Sequence, residues 1–162
     1  MIQQKPSIKE DILFLLLKIA IFLILLFVMF FWVFGITRCN DNSMDPAFKD
    51  GDLAFYYRLQ KEYNNADVVV IEKDNGLQLR RIIAKAGDKV EISEEGLKIN
   101  GYLQKEANIY EETLPYVEGI SFPIEVPENE YFVLGDSRSN AKDSRIYGTV
   151  KIEEIKGGVM TL

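Results

Sequence analysis

The distribution of hydrophobic and polar residues divides the chain into two parts. Residues 12–36 are almost continuously apolar and carry a single charge, Lys18. A bilayer-spanning helix needs about 20 apolar residues, so this run predicts a transmembrane helix. Beyond it the apolar residues come in short runs separated by turn residues, a pattern typical of antiparallel β-sheets. We therefore expect an N-terminal segment over residues 1–11, a transmembrane helix over 12–36 and a mainly β domain over 37–162.

The charges on either side of the apolar run predict its orientation. Lys5, Lys9 and Lys18 precede its charge-free part, whereas only Arg38 follows closely. Positively charged flanks tend to stay in the cytoplasm, so residues 1–11 are expected there and the domain on the extracytoplasmic face of the cell membrane. The run is too long for a cleaved signal peptide and no small-x-small cleavage site follows it, which favours a retained single-pass anchor.

The β domain is expected to contain many short strands and little helix. Its alternating or β-branched runs predict strands at residues 53–59, 67–72, 77–84, 89–93, 97–100, 130–134, 149–152 and 158–162. Asn75-Gly76 is a strong hairpin signal between two of them. Residues 104–127 contain three prolines and predict a connecting loop with at most one short helical turn. No other helix is expected in the domain.

Composition excludes several kinds of chemistry. The chain contains no histidine, which rules out Ser-His-Asp and Cys-His catalysis and the usual histidine-containing zinc sites. Cys39 is its one cysteine, so no internal disulfide can form, and we expect no metal or cofactor. The net charge of −6 and the lack of a long basic run argue against a nucleic-acid partner.

A serine lies close to the outer end of the apolar run. Ser43 belongs to a turn of small and polar residues that Pro46 stiffens by fixing its own φ. A serine nucleophile needs a neighbouring base. Without histidine, that base would have to be a lysine or a carboxylate.

Four segments, in order behind the apolar run, carry a family likeness. They are Ser43-Met44-Asp45-Pro46, Gly51-Asp52 with Ala66–Val70, Leu79–Asp88, and Gly135–Arg138 through Asp143-Ser144-Arg145. With these segments the chain resembles the bacterial type I signal peptidases of the Gram-positive kind over nearly all of its length. The resemblance implies a signal-peptidase-like antiparallel β domain. It also implies a serine peptidase in which a neutral lysine takes the proton of the serine and a second serine orients that lysine.

The chain departs from the family at both supporting positions. Arg80 stands at the family's lysine position and Ala141 at the position of the orienting serine. A guanidinium keeps its proton, with a pKa above about 12, and has no lone pair to accept another. Ser43 is thus at the nucleophile position without the family's base. The residues after it, Met44, Asp45 and Pro46, are the implied substrate-binding positions.

Two other lysines are candidate bases. Lys142 follows Ala141 in the last segment, where a loop could aim it inward, and Lys85 lies five residues beyond Arg80, on the opposite face of a strand. The alternative is that both are solvated surface lysines. Asp136, Arg138, Asp143 and Arg145 are expected to form a structural ion-pair cluster that holds the last segment in shape.

Three functions remain open from the sequence, and so does the question of whether the chain is an enzyme. The first is a non-catalytic signal-peptidase-like protein, most similar to the degenerate members in pilus assembly loci, which are implied to be assembly factors or chaperones for pilin subunits beside the sortase machinery. The second is an active type I signal peptidase that cleaves preprotein signal peptides with Ser43 and a relocated lysine base. The third, a purely structural membrane scaffold, leaves the four segments unexplained.

Overall fold

The computed structural model describes residues 8–107 and 109–160, which divide into two compact units after residue 34. The first unit is the helix α1, Ile8–Val33. Among the described residues it is the one helix long and apolar enough to cross a membrane. The helix ends before the predicted position 36, because the chain continues as a strand. Gly35 is a poor helix former, and Ile36 and Thr37 are β-branched residues that favour strands.

The second unit is built from short strands. In the described residues these are β1 (Phe34–Arg38), β2 (Leu53–Tyr57), β3 (Val68–Lys73), β4 (Gly76–Lys85), β5 (Lys89–Ser93), β6 (Gly96–Ile99), β7 (Tyr102–Leu103), β8 (Ile124–Glu125), β9 (Glu130–Leu134), β10 (Val150–Lys151) and β11 (Ile155–Val159). A seven-stranded sheet has the order β1-β2-β11-β3-β4-β9-β10, and a four-stranded sheet has the order β7-β6-β5-β8. The pairings from β2 to β10 and throughout the smaller sheet are antiparallel. The predicted mainly antiparallel β fold is confirmed.

The hairpin between β3 and β4 lies one residue earlier than the sequence indicates. Asp74 and Asn75 both have positive φ, as the two central residues of a type I′ turn require, and Gly76 already pairs with Lys73. This hairpin begins β4, the longest of the described strands, which lies between β3 and β9 in the large sheet. The strand therefore carries Arg80 into the interior.

Two short helical turns were not expected. Ser144–Tyr147 forms α2, because the Asp143 carboxylate accepts the Arg145 N–H and so caps the turn. Ile152–Glu154 forms a 3-10 turn where a strand was predicted to end. β11 then starts at Ile155, earlier than the predicted strand 158–162, whose residues 161–162 lie outside the described part of the chain.

Residues 104–127 are largely irregular, as predicted, but they include β8. Residue 108 of this stretch is not described. The stretch runs from the small sheet towards β9 of the large one.

Among the described residues, three hydrophobic clusters stabilise the domain. The largest contains residues from β4, β5, β6 and β9, so it packs the two sheets together. The one that bears on the site consists of Met44, Ala54, Val68 and Leu79. Each large apolar side chain that is fully buried contributes about 1.5–3 kcal/mol. This cluster holds the loop after β1 against β3 and β4.

Candidate active site

Ser43 lies in the loop between β1 and β2 and is 1% exposed. Its hydroxyl donates to Asp41 Oδ1 at 2.5 Å, and its backbone N–H donates to the same oxygen at 2.9 Å. The Ser43 carbonyl accepts the Ser137 N–H at 3.0 Å, which joins this loop to the segment after β9. Gly135 permits the approach, because a Cβ at that position would lie 2.6 Å from the Ser43 carbonyl oxygen.

Arg80 lies beside Ser43 and is 2% exposed. Its Nη1 donates to Ser43 Oγ at 2.8 Å and to the Leu79 carbonyl at 2.5 Å. Its Nε and Nη2 donate to the Lys142 carbonyl at 3.1 and 2.8 Å. Within the described residues, no carboxylate forms an ion pair with Arg80. The buried guanidinium is therefore held by neutral oxygen atoms.

The contact with Arg80 and Asp41 determines what the hydroxyl of Ser43 can do. Ser43 accepts a hydrogen bond from the guanidinium and donates its own proton to the carboxylate. The guanidinium has no lone pair with which to accept that proton. Ser43 thus bridges a guanidinium and a carboxylate.

Three other residues were predicted to take part in the site, Lys142, Lys85 and Ala141, and none of them directs a polar side-chain atom to Ser43. Lys142 Nζ forms a surface ion pair with Asp74 at 2.7 Å, and the side chains are 54% and 55% exposed. Lys142 thus turns its carbonyl, and not its ammonium, towards Arg80. Lys85 is exposed at the end of β4. Ala141 is 1% exposed, but its methyl group offers no hydrogen-bonding atom. The geometry gives no support to a relocated lysine base.

The charged residues of the last segment form three separate pairs. Asp143, which is fully buried, binds Arg145 Nη2 at 2.8 Å. Asp136 binds Arg81 Nε at 2.7 Å. Arg138 binds Glu106 at 2.7 Å. We predicted that Asp136, Arg138, Asp143 and Arg145 form one ion-pair cluster. In the structure Asp143 and Arg145 pair with each other, whereas Asp136 pairs with Arg81 and Arg138 pairs with Glu106.

A cavity of about 530 Å³ opens beside the Ser43 loop. It is lined by Pro46 and Ala47 from that loop, by Arg81 and Asp136, by the apolar side chains Ile82, Ile83, Leu97, Ala107 and Ile109, and by Asn65, Ala66, Gln104, Lys105 and Glu106. Of the three predicted substrate-binding residues, Pro46 lines the cavity and Asp45 is exposed to solvent. Met44 is fully buried in the hydrophobic core, so in this conformation it is a packing residue and does not face a ligand.

Two other titratable groups near the site are held neutral. Burial raises the pKa of the Cys39 thiol, which donates weakly to the Asp41 carbonyl. Burial also raises the pKa of the Tyr147 phenol. The described residues contain no group of three or more histidine, cysteine, aspartate or glutamate side chains that could hold a metal ion.

Sequence reasoning missed two residues that shape the site. Asp41 contacts Ser43 directly, and Glu106 neutralises the buried Arg138. An aspartate two residues before a turn residue is a recognised turn-stabilising pattern, so Asp41 could have been found from the sequence. Glu106 could not, because it comes from an irregular stretch 32 residues from Arg138.

Comparison with known proteins identifies the family. The family model described as "Signal peptidase, peptidase S26" matches residues 12–162. The chain belongs to the signal peptidase I family.

Individual relatives agree with that assignment. The chain is 32% identical to Signal peptidase I of Bacillus licheniformis, over 90% of this chain and 84% of that protein. It is 30% identical to Signal peptidase IB of Staphylococcus aureus strain COL, over 93% and 88% of the two chains. The crystal structure of a signal peptidase I from Enterococcus faecalis V583 superposes with a TM-score of 0.50 at 28% identity, over 62% of this chain and 98% of that one. With the apolar helix α1, these relatives indicate a membrane-anchored protein.

Proposed function

We propose that this protein is a non-catalytic, membrane-anchored member of the signal peptidase I family, which binds a secreted polypeptide without cleaving it. The observation that carries the proposal is the 2.8 Å hydrogen bond from Arg80 Nη1 to Ser43 Oγ. A side chain that cannot accept a proton occupies the position that the resemblance assigns to the family's lysine base. Loss of general-base assistance alone costs about 10²–10⁴-fold in rate.

The cavity beside the Ser43 loop supports a binding role. Its lining combines the apolar residues Ile82, Ile83, Leu97 and Ile109 with polar and charged residues, which are Asn65, Arg81, Gln104, Lys105, Glu106 and Asp136. Apolar pockets combined with a few polar groups suit an extended peptide segment. The relatives are named signal peptidases, so a precursor protein with a signal peptide is the ligand class that family membership supplies.

The proposed role is that of an assembly factor or chaperone for surface pilus subunits. It rests on the resemblance to degenerate family members in pilus loci, together with the arginine at the base position. In this role α1 spans the membrane with residues 1–11 in the cytoplasm. The domain then meets pilin subunits, and the sortase machinery that joins them, on the extracytoplasmic face.

A cleavage assay tests the non-catalytic assignment. The purified full-length protein in detergent is incubated with a pilin precursor, and product is followed by mass spectrometry. We expect no product with the wild-type protein. Cleavage by wild type that Ser43→Ala abolishes would favour the second candidate, an active signal peptidase, for which the retained and buried Ser43 is the supporting observation.

A binding assay tests the client. The same precursor, immobilised, should retain both wild type and Ser43→Ala, because the proposed binding relies on the cavity and not on the hydroxyl. Ile109→Asp places a charge in the apolar lining of the cavity, at a partly buried position outside the hydrophobic core clusters, and should abolish retention, whereas Lys61→Asp, an exposed position outside the cavity lining, should not. Equal retention of the two variants would contradict binding in this cavity. Failure of wild type to bind pilin precursors would remove the pilus assignment.

A further inference from the structure

Asp41 contacts both hydrogen-bond donors of Ser43, and the replacement of a lysine base by Arg80 does not by itself require these contacts. One oxygen of its carboxylate accepts both the backbone N–H and the hydroxyl of Ser43, at 2.9 and 2.5 Å. The side chain is exposed to solvent, in contrast to Ser43 and Arg80, which are buried. Of the two charged side chains that contact Ser43, Asp41 is the one exposed to solvent.

The backbone N–H of a nucleophilic serine has a general role in serine hydrolases. It is one of the donors that stabilise the negatively charged oxygen formed when the serine attacks a carbonyl group. In this chain that donor is already bound to a carboxylate. An anion at the same place would lose the donor and would also face the negative charge of Asp41.

Arg80 does not supply a free hydrogen-bond donor to a ligand at that place. It is 2% exposed, and the hydrogen bonds of its Nη1 go to Ser43 Oγ and the Leu79 carbonyl. Its Nε and Nη2 are directed to the Lys142 carbonyl. Arg80 is thus buried, whereas the Asp41 carboxylate on the same serine is exposed to solvent.

We propose that Asp41 is a positioning and specificity residue that excludes anionic groups from Ser43. It holds the serine as a neutral bridge and engages the Ser43 N–H, so that this donor is not available to an oxyanion or to the carboxylate end of a cleaved peptide. The site then selects the neutral peptide bonds of an intact chain over a cleaved end. This inference rests on the proposed function, since it concerns a polypeptide bound in the cavity beside Ser43.

The test compares two peptides that differ in one charge. Both end in Ala-x-Ala; one has a free C-terminal carboxylate and the other a C-terminal amide. Their affinities are measured by fluorescence anisotropy with the full-length protein in detergent, in its wild-type form and as Asp41→Asn. Asp50→Asn is the matched control, because Asp50 is an exposed carboxylate of the same loop, and in the described part of the chain Ser43 donates to Asp41 and not to Asp50.

We expect wild type and Asp50→Asn to bind the amide at least about fivefold more tightly, the effect of two unit charges about 4 Å apart in water. Asp41→Asn keeps the side-chain size and a hydrogen-bond acceptor but removes the charge, so the preference should fall towards one. An unchanged preference in Asp41→Asn, or equal affinity of wild type for both peptides, would overturn the inference alone. Absence of binding by every variant would overturn the proposed function and this inference with it. Cleavage of a longer Ala-x-Ala peptide by wild type that Asp41→Asn abolishes would make Asp41 a base, which also overturns the inference.

Discussion

Arg80 and Arg81 are neighbours in β4, yet they are stabilised in different ways. Arg81 binds the Asp136 carboxylate, and this hydrogen bond holds the pKa of Arg81 above its usual value. Arg80 is more deeply buried and binds carbonyl oxygens and the Ser43 hydroxyl. The segment after β9 thus keeps its buried charges paired, which maintains the fold. The serine site instead holds the cation Arg80, which forms no ion pair with a carboxylate of the described residues.

The largest effect is expected within the paired region. Asp143→Asn leaves Arg145 buried without its counter-ion, and breaking a buried pair typically costs about 3–5 kcal/mol. We expect the free energy of unfolding to fall by that amount in urea denaturation of the full-length protein in detergent. Asp74→Asn, at an exposed pair, is the matched control and should change stability little. Equal loss in both variants would refute a structural role for the Asp143–Arg145 pair.

The next effect tests the unpaired region. Arg80→Lys/Ala141→Ser restores an amine that can lose a proton and a hydroxyl that can orient it. We expect cleavage of a preprotein to rise about 10²-fold over wild type, at the lower end of the range for general-base catalysis, because Asp41 still occupies the Ser43 N–H.

Ser43→Ala in that double variant is the control and should remove the gained activity. An inert double variant that still binds precursor would show that the site has diverged beyond the base. If the wild type already cleaves as fast as the double variant, Arg80 does not prevent cleavage, and the proposed functional difference between Arg80 and Arg81 is wrong.

A smaller effect is expected at the pair that contains Arg81. Asp136→Asn removes the carboxylate, but Arg81 is partly exposed and retains a hydrogen bond to the Ala66 carbonyl at 2.8 Å. The loss should therefore be about 1–3 kcal/mol in the same denaturation experiment, below that of Asp143→Asn. If Asp136→Asn loses as much stability as Asp143→Asn, the partial exposure of Arg81 does not reduce the cost of breaking its pair with Asp136.

The sequence was sufficient for the fold class, a long apolar helix followed by a mainly antiparallel β domain. Continuous apolar residues indicated α1, and short alternating runs indicated most strands, with β5 and β9 predicted at their observed bounds. These patterns reflect local burial, which a single chain segment encodes. The family resemblance placed Ser43 and Arg80 in one site, where the structure also has them in contact.

The directions of side chains were harder to predict, because they depend on tertiary packing. Lys142 follows Ala141 in sequence, but its ammonium faces Asp74 across the surface. Met44 follows Ser43, but it points into the core. Glu106 reaches Arg138 from a stretch without a regular pattern. None of these contacts leaves a periodic signal in the sequence.

The smallest effect concerns Tyr63. This buried ionisable side chain is neither paired with a carboxylate, as Arg81 is, nor held charged by neutral oxygen atoms, as Arg80 is, but stays neutral. Burial raises the pKa of Tyr63 to about 12, from a usual value of about 10. Above pH 10 the unfolded chain releases this proton while the folded protein keeps it. Stability from this group is therefore complete below pH 10 and is lost as the pH rises towards 12.

Tyr63→Phe should reduce this alkaline loss of stability, although burial of Tyr147 also contributes to it. At neutral pH the variant loses only the hydrogen bond to the Gln60 carbonyl, about 0.5–1.5 kcal/mol. Urea denaturation at pH 8 and at pH 10–11 measures both quantities on one protein. The decline must be shallower in Tyr63→Phe if the phenol is kept neutral by burial. An equal decline in the wild type and in Tyr63→Phe would show that other groups cause the alkaline loss of stability.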